Sequence, residues 1–174
     1  MQSVRPVRRV AELGSLGGIR TTMTAMRIEL ISPELRKRLD SASEAQLRQV
    51  AAAVSRAIVE RVGISHPVVT RALEGLAKSE PPTDELRAAV RDYADGVDSA
   101  YLDLSDEQES GRASKEQVFA AFSQARAASA VAFALSSSAL VAASEATYEA
   151  ASAVDDATQI SSIAERILSY DHAA

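Results

Sequence analysis

Hydrophobic side chains recur at intervals of three and four residues along most of the chain, which is the spacing of one face of an α-helix. One such stripe contains Leu47, Val50, Val54, Ile58 and Val62. A second contains Leu86, Val90, Tyr93, Val97, Tyr101 and Leu104. A third lies near the C-terminus and contains Ile160, Ile163, Ala164, Ile167 and Leu168. These stripes predict an all-α protein, built as a bundle of about six helices.

Residues typical of helix ends separate the stripes and predict where each helix begins. The five expected N-cap residues are Ser32, Ser43, Ser65, Thr83 and Ser114. Pro33 follows the first cap at the position where a helix accepts proline, and Gln46 and Gln117 complete two capping-box spacings. Gly63 is expected to end a helix in the left-handed conformation, which glycine adopts without strain.

The domain organisation follows from the basic start of the chain and from one strong break. The length of 174 residues suits a single domain. Residues 1–31 are predicted to form a flexible basic leader, because glycines interrupt any helix there and arginines outnumber acidic residues. Residues 32–174 are predicted to form a single all-helical domain. A sub-boundary could fall at residues 79–83, where two adjacent prolines prevent a helix from continuing.

Residues 127–144, AASAVAFALSSSALVAAS, form the longest uncharged segment of the chain. Its Ser and Ala content makes it too weakly hydrophobic for a membrane span, so we expect a helix surrounded by neighbours. A straight helix over residues 115–154 would be about 60 Å long, against a radius of gyration of about 16 Å for a compact domain of this size. We therefore expect a break near Ser136–Ser138 and a central Ala/Ser-rich helical hairpin. The alternative is a long helix that projects to meet a partner.

The composition narrows the classes of protein. A net charge of −5 argues against a protein that coats nucleic acid or anionic lipid with its whole surface. The absence of Cys excludes disulfides, thiolate metal sites and Cys nucleophiles. No secretory signal is visible in the N-terminal residues, and we expect a cytoplasmic protein without a membrane span. The excess of Arg over Lys is typical of a GC-rich bacterial genome.

Few residues suggest catalysis. The two histidines, His66 and His172, lie outside the spacings of di-iron and zinc sites. Tyr148 and Glu149 could present a phenol and an acid together, but we expect Tyr148 at a bundle edge and Glu149 in solvent. The sequence therefore predicts a non-enzymatic protein with no catalytic, cofactor-binding or metal-binding residues.

The segment AIVERVGISHPVVTRAL, residues 57–73, resembles the helix-turn-helix of bacterial repressors. The matching positions are Gly63, Ile64, Ser65, Val69, Thr70 and Arg71. The resemblance implies that the start of a DNA-recognition helix carries His66, Pro67, Val68, Thr70 and Arg71. In that reading Arg71 would contact a base or a phosphate.

Two functions follow from these observations. The favoured one is a bacterial, cytoplasmic helical protein that binds another protein or itself, as a homo-oligomer, through Ala-rich helix surfaces. The alternative is a regulator that reads DNA through residues 57–73 and uses residues 83–174 for dimerisation or effector binding. Nucleic acid is therefore a second, less favoured partner, and no cofactor is expected.

Overall fold

A computed structural model of the protein describes residues 27–169. All regular secondary structure in this range is helical, which confirms the all-α class. Seven helices have their bounds within the range, rather than about six, and residues 27–29 are also helical. The seven are α1 (Pro33–Ser41), α2 (Glu44–Val62), α3 (Pro67–Ala77), α4 (Asp84–Glu109), α5 (Lys115–Ala134), α6 (Ala139–Ser152) and α7 (Ala157–Ser169). None of them combines the length and hydropathy needed to cross a bilayer.

Local capping interactions fix most of the helix ends. The predicted N-caps at Ser32, Ser43, Thr83 and Ser114 are confirmed. Gly63 has φ 78° and ends α2, as predicted. The prediction of Ser65 as a cap is wrong, because His66 caps α3 and its Nδ1 accepts from the N–H of Val68 at 3.3 Å. Pro67 takes the first helical position, so the residue directly before it becomes the cap.

The uncharged segment folds as the predicted hairpin. Helix α5 ends at Ala134 and α6 begins at Ala139, with Ser138 as its N-cap, so the break near Ser136–Ser138 is confirmed. Helix α6 packs against α1, α2, α5 and α7. As a result, ten of its fourteen residues are buried. Most of its Ala-rich surface is therefore in contact with other helices of the same chain.

Two groups of buried hydrophobic residues form the core. The larger joins α1, α2, α5, α6 and α7, and the smaller lies where α3 and α4 meet α2 and α5. Ile28 belongs to the larger group and is fully buried, so the packed part of the chain begins before Ser32. Residues 1–26 of the predicted leader lie outside the described residues.

Residues 95–122, from the second half of α4 and the first half of α5, form a helical hairpin in which no residue is buried. Beyond Ala94, none of the remaining residues of α4 is buried, and the first buried residue of α5 is Ser123. The two helices contact each other through Tyr101 and Phe122, whose ring centroids lie 5.4 Å apart. We call residues 95–122 the arm.

Candidate functional site

Helix α6 carries two carboxylates into the interior of the bundle. Glu145 and Glu149 are each 2% exposed, and their spacing of four residues places them on the same face of the helix. Arg27, which precedes α1, donates hydrogen bonds to both carboxylates, and its Nη2 lies 2.5 Å from Oε1 of Glu149. Its guanidinium also lies over the ring of Tyr148, 4.0 Å from the centroid.

A second arginine links the same carboxylate to α4. Arg126 of α5 donates from Nη1 to Oε2 of Glu149 at 3.1 Å and from Nη2 to Asp98 of α4. Both oxygens of Glu149 therefore accept from a guanidinium, as a buried charge requires. We call Arg27, Asp98, Arg126, Glu145 and Glu149 the ionic cluster.

Glu145 is less well satisfied than Glu149. Burial raises the pKa of its carboxyl group, and the charge of Glu149 adds to the rise, while Arg27 acts in the opposite direction. Arg27 itself loses hydration, yet its hydrogen bond to Glu149 and the two carboxylate charges raise its pKa. Within the described part of the chain, Oε1 of Glu145 is buried and has no hydrogen-bond partner.

Glu145 lines a groove that runs between α4 and α6. Both helices pack against α5, which forms the floor of the groove through Ser129, Ala132 and Phe133. The volume of the groove is about 990 Å³. Arg87 and Arg91 line it from α4. The groove thus brings cations, a buried acid and an apolar floor together.

The arm presents a different kind of surface. Leu102 is 54% exposed and Phe119 is 48% exposed, and both are among the few large hydrophobic residues that the described part of the chain exposes. Residues 95–122 contain seven acidic and two basic side chains, a net charge of −5, equal to that of the whole chain. The arm is therefore acidic and exposes apolar side chains.

The residues of the predicted recognition helix lie on α3. His66, Thr70 and Arg71 are exposed, whereas Val68 is half-buried and packs against the smaller core group. The ring of His66 stacks on Tyr93 of α4 with the centroids 4.3 Å apart. The imidazole of His66 therefore has two structural roles: it caps α3 and it packs against α4.

The charges around Arg71 are mixed. The pKa of Glu85, at the start of α4, is lowered first by its own backbone N–H, then by the hydroxyl of Thr83, and also by the positive charge of Arg71. Glu60 and Glu74 are also exposed, on α2 and α3. These exposed carboxylates offset the positive charge of Arg71. Thr70 and Arg71 are therefore accessible, but the surface around them is not strongly basic.

Sequence reasoning missed the ionic cluster. Glu149 was expected in solvent, and this prediction is wrong because α1, α2, α5 and α7 enclose the helix that carries it. One signal was present: Glu145 and Glu149 are the only charged residues between Arg126 and Asp155. Two acids that share a helix face in an otherwise uncharged stretch indicate a buried site with basic partners.

The described residues contain no candidate metal site, and the comparisons with known proteins give no information about function. Among residues 27–169, no three His, Asp or Glu side chains are grouped as a bound metal ion would require. Comparison of the chain with protein-family models, curated proteins and solved structures found no match.

Proposed function

We propose that this is a non-enzymatic helical interaction protein whose contact surface is the arm, and that the arm binds a basic amphipathic helix of a partner protein. The observation that supports this most is the exposure of Leu102 and Phe119 on a hairpin whose α4 half has no buried residue. Apolar side chains rimmed by polar residues are typical of protein interaction sites.

Among residues 27–169, no helix buries any residue of the α4 half of the arm, so a third helix could pack there. Two antiparallel helices bury one stripe each against the other, and stable helical domains add further helices around that contact. In the body of the bundle α6 fills this role, since it packs against α5 from Ala139 onwards. A partner helix on the arm would extend the same arrangement. The Ala-rich faces, by contrast, are already used within the chain.

The charge of the arm decides which partner fits. A net charge of −5 over residues 95–122 favours a cationic segment through complementary potentials. Two copies of the arm would instead bring like charges together. We therefore favour a basic helix over a second copy of this chain, and self-association through the arm becomes an alternative outcome of the test.

The proposal is tested by titrating the protein with a fluorescent helical peptide of Leu and Lys and with its Leu and Glu counterpart. We expect the basic peptide to bind and the acidic peptide not to bind. Combining Leu102→Asp with Phe119→Asp should weaken binding of the basic peptide at least about tenfold, the loss expected when apolar anchors are removed. Raising the salt concentration should also weaken it.

Leu30→Asp provides the matched control, because Leu30 is 80% exposed and lies outside the arm. This variant should bind like the wild type. Equal binding of the basic peptide to the wild type and to the double variant would overturn the proposal. A dimer in sedimentation velocity that the double variant abolishes would identify a second copy as the partner instead.

A second function is supported by the exposure of Thr70 and Arg71, which a recognition helix requires. In this alternative α3 enters the major groove of DNA. The length of α2, with 19 residues, and the acidic neighbours Glu60 and Glu74 make α3 a weaker candidate than the arm.

A further inference from the structure

We infer that the groove between α4 and α6 binds a small organic anion that combines an oxyanion group, an apolar body and a hydrogen-bond donor. The groove adjoins the arm, because Asp95, the first residue of the arm, also lines it, whereas Leu102 and Phe119 do not. Three regions of the groove carry the inference: the arginines of α4, the floor on α5 and the carboxyl group of Glu145 on α6.

The arginines supply the oxyanion site. Arg87 and Arg91 are four residues apart, so both project from the same side of α4 into the groove. Arg87 is fixed in place, because its Nε donates to the carbonyl oxygen of Leu135 at 3.0 Å and its Nη1 contacts Asp84 at 2.7 Å. Arg91 is exposed and makes no ion pair within residues 27–169. Guanidinium groups match the geometry of phosphate and carboxylate oxygens.

Glu145 supplies an acceptor that nothing in the described part of the chain uses. Its Oε2 accepts from Arg27, while Oε1 is buried without a hydrogen-bond partner. Leaving a buried acceptor unpaired is unfavourable, and almost all such groups in proteins find a partner. A hydroxyl or amine of a bound molecule would provide the missing donor.

The floor of the groove matches an apolar body between these two ends. Ala132 and Phe133 are half-buried and offer an aliphatic and an aromatic surface next to Ser129. The volume of about 990 Å³ is in the range of small-molecule sites in proteins. An aromatic or aliphatic group would cover this floor while its polar ends reach α4 and α6.

The walls of the groove are held in place by other residues. At one end Arg48 of α2 donates to the carbonyl oxygens of Ser136 and Ser137, both at 2.5 Å, and so fixes the loop that joins α5 to α6. Further along, Arg126 bridges Asp98 of α4 and Glu149 of α6 across α5. A site whose walls are fixed before binding loses less entropy when a ligand enters.

The test uses four small probe molecules, which differ in whether they carry the oxyanion and the hydrogen-bond donor. The probe 4-aminophenyl phosphate carries the oxyanion, the ring and the donor, and 4-aminobenzoate replaces phosphate by carboxylate. Phenyl phosphate lacks the amine, and aniline lacks the oxyanion. Each is titrated into the isotopically labelled full chain, and affinities are read from amide chemical shifts in α4, α5 and α6.

We expect 4-aminophenyl phosphate or 4-aminobenzoate to bind most tightly, with shifts confined to the groove, and the comparison of the two identifies the preferred oxyanion. Arg91→Gln should weaken the better probe at least about tenfold, as the loss of a charged hydrogen bond predicts. Arg71→Gln is the matched control, because it removes the same charge from an exposed position on α3. Shifts outside the groove, equal affinity for aniline, or equal effects of the two substitutions would overturn the inference.

Discussion

The guanidinium of Arg126 donates to Glu149 at 3.1 Å, which joins α5 to α6 at a carboxylate that is only 2% exposed. The same guanidinium contacts Asp98 of α4. One side chain therefore connects the base of the arm to a buried carboxylate at the centre of the bundle.

Replacing Arg126 by Met should lower the free energy of unfolding by about 2 to 3 kcal/mol, because it removes one partner of a buried carboxylate. Arg27 still contacts Glu149 and limits the loss. Urea unfolding followed by circular dichroism measures the change. Lys37→Met is the control, since it breaks only an exposed pair with Glu34 and should change stability by less than about 0.5 kcal/mol. Equal effects of the two substitutions would show that the ionic cluster does not stabilise the fold.

The pKa of Glu145 makes part of the stability depend on pH. Its folded-state pKa is raised above the ordinary value of 4.5, mainly by burial. The folded state then holds the proton more tightly than the unfolded state. The protonated Glu145 therefore contributes to the free energy of unfolding in full below pH 4.5, and this contribution is lost as the pH rises through the folded pKa. The stability of the wild type relative to Glu145→Gln should therefore fall as the pH rises, in urea unfolding at several pH values.

Glu116 provides a control of opposite sign for this experiment. Its pKa is lowered, first by its own backbone N–H and then by the hydroxyl of Ser114. The ionised Glu116 therefore contributes to the free energy of unfolding above its ordinary pKa of 4.5, and this contribution is lost as the pH falls through the folded pKa. Relative to Glu116→Gln, the wild type should gain stability as the pH rises. If the wild type also gained stability relative to Glu145→Gln as the pH rises, Arg27 rather than burial would control the pKa of Glu145.

Two alanines of the uncharged segment should respond differently to a charge. Ala142 is fully buried in the larger core group, so Ala142→Glu places an unpaired carboxylate in an apolar site and should unfold the protein. Ala132 is half-buried and lines the groove with Arg87 and Arg91, so the carboxylate of Ala132→Glu can reach solvent or a guanidinium. Melting temperatures measure both variants. An equal loss in the two would show that the groove is closed in solution.

The DNA-binding alternative makes its own prediction. Because exposed acids lie near α3, we expect no binding to random duplex DNA in a gel-shift titration at physiological salt. If α3 were a recognition helix, binding would weaken steeply with salt, since each phosphate contact releases counterions. Arg71→Ala would then abolish the shift without changing the melting temperature, while Arg112→Ala in the arm would retain it. That pattern would replace the arm by α3 as the contact surface.

Features that depend on a few neighbouring residues were predictable from the sequence. Ser43 and Gln46 form a capping box, and Gly63 ends α2 in the left-handed conformation, because both geometries follow from local chain chemistry. A break near Ser136–Ser138 was predictable because a straight helix over residues 115–154 would be too long for a compact domain, and the two helices do end and begin on either side of these serines. The cap of α3 lies one residue later than the predicted Ser65, because Pro67 occupies the first helical position and His66 directly precedes it.

The candidate sites were not predictable, because they depend on which helices pack together. The burial of Glu149 requires several helices to enclose α6, and no local pattern specifies that arrangement. The contact of Arg27 with Glu145 joins residues 118 positions apart. Likewise, Leu102 and Phe119 belong to ordinary amphipathic sequences, and their exposure among residues 27–169 depends on how the helices of the bundle pack.

The arm is the proposed contact surface, and amide hydrogen exchange of the full chain with and without the Leu and Lys peptide tests this role most directly. Exchange reports local opening, so a helix that docks on the arm should slow it there. We predict slower exchange across residues 95–122 and unchanged exchange in α3. Slower exchange in α3 with no change in the arm would contradict the account.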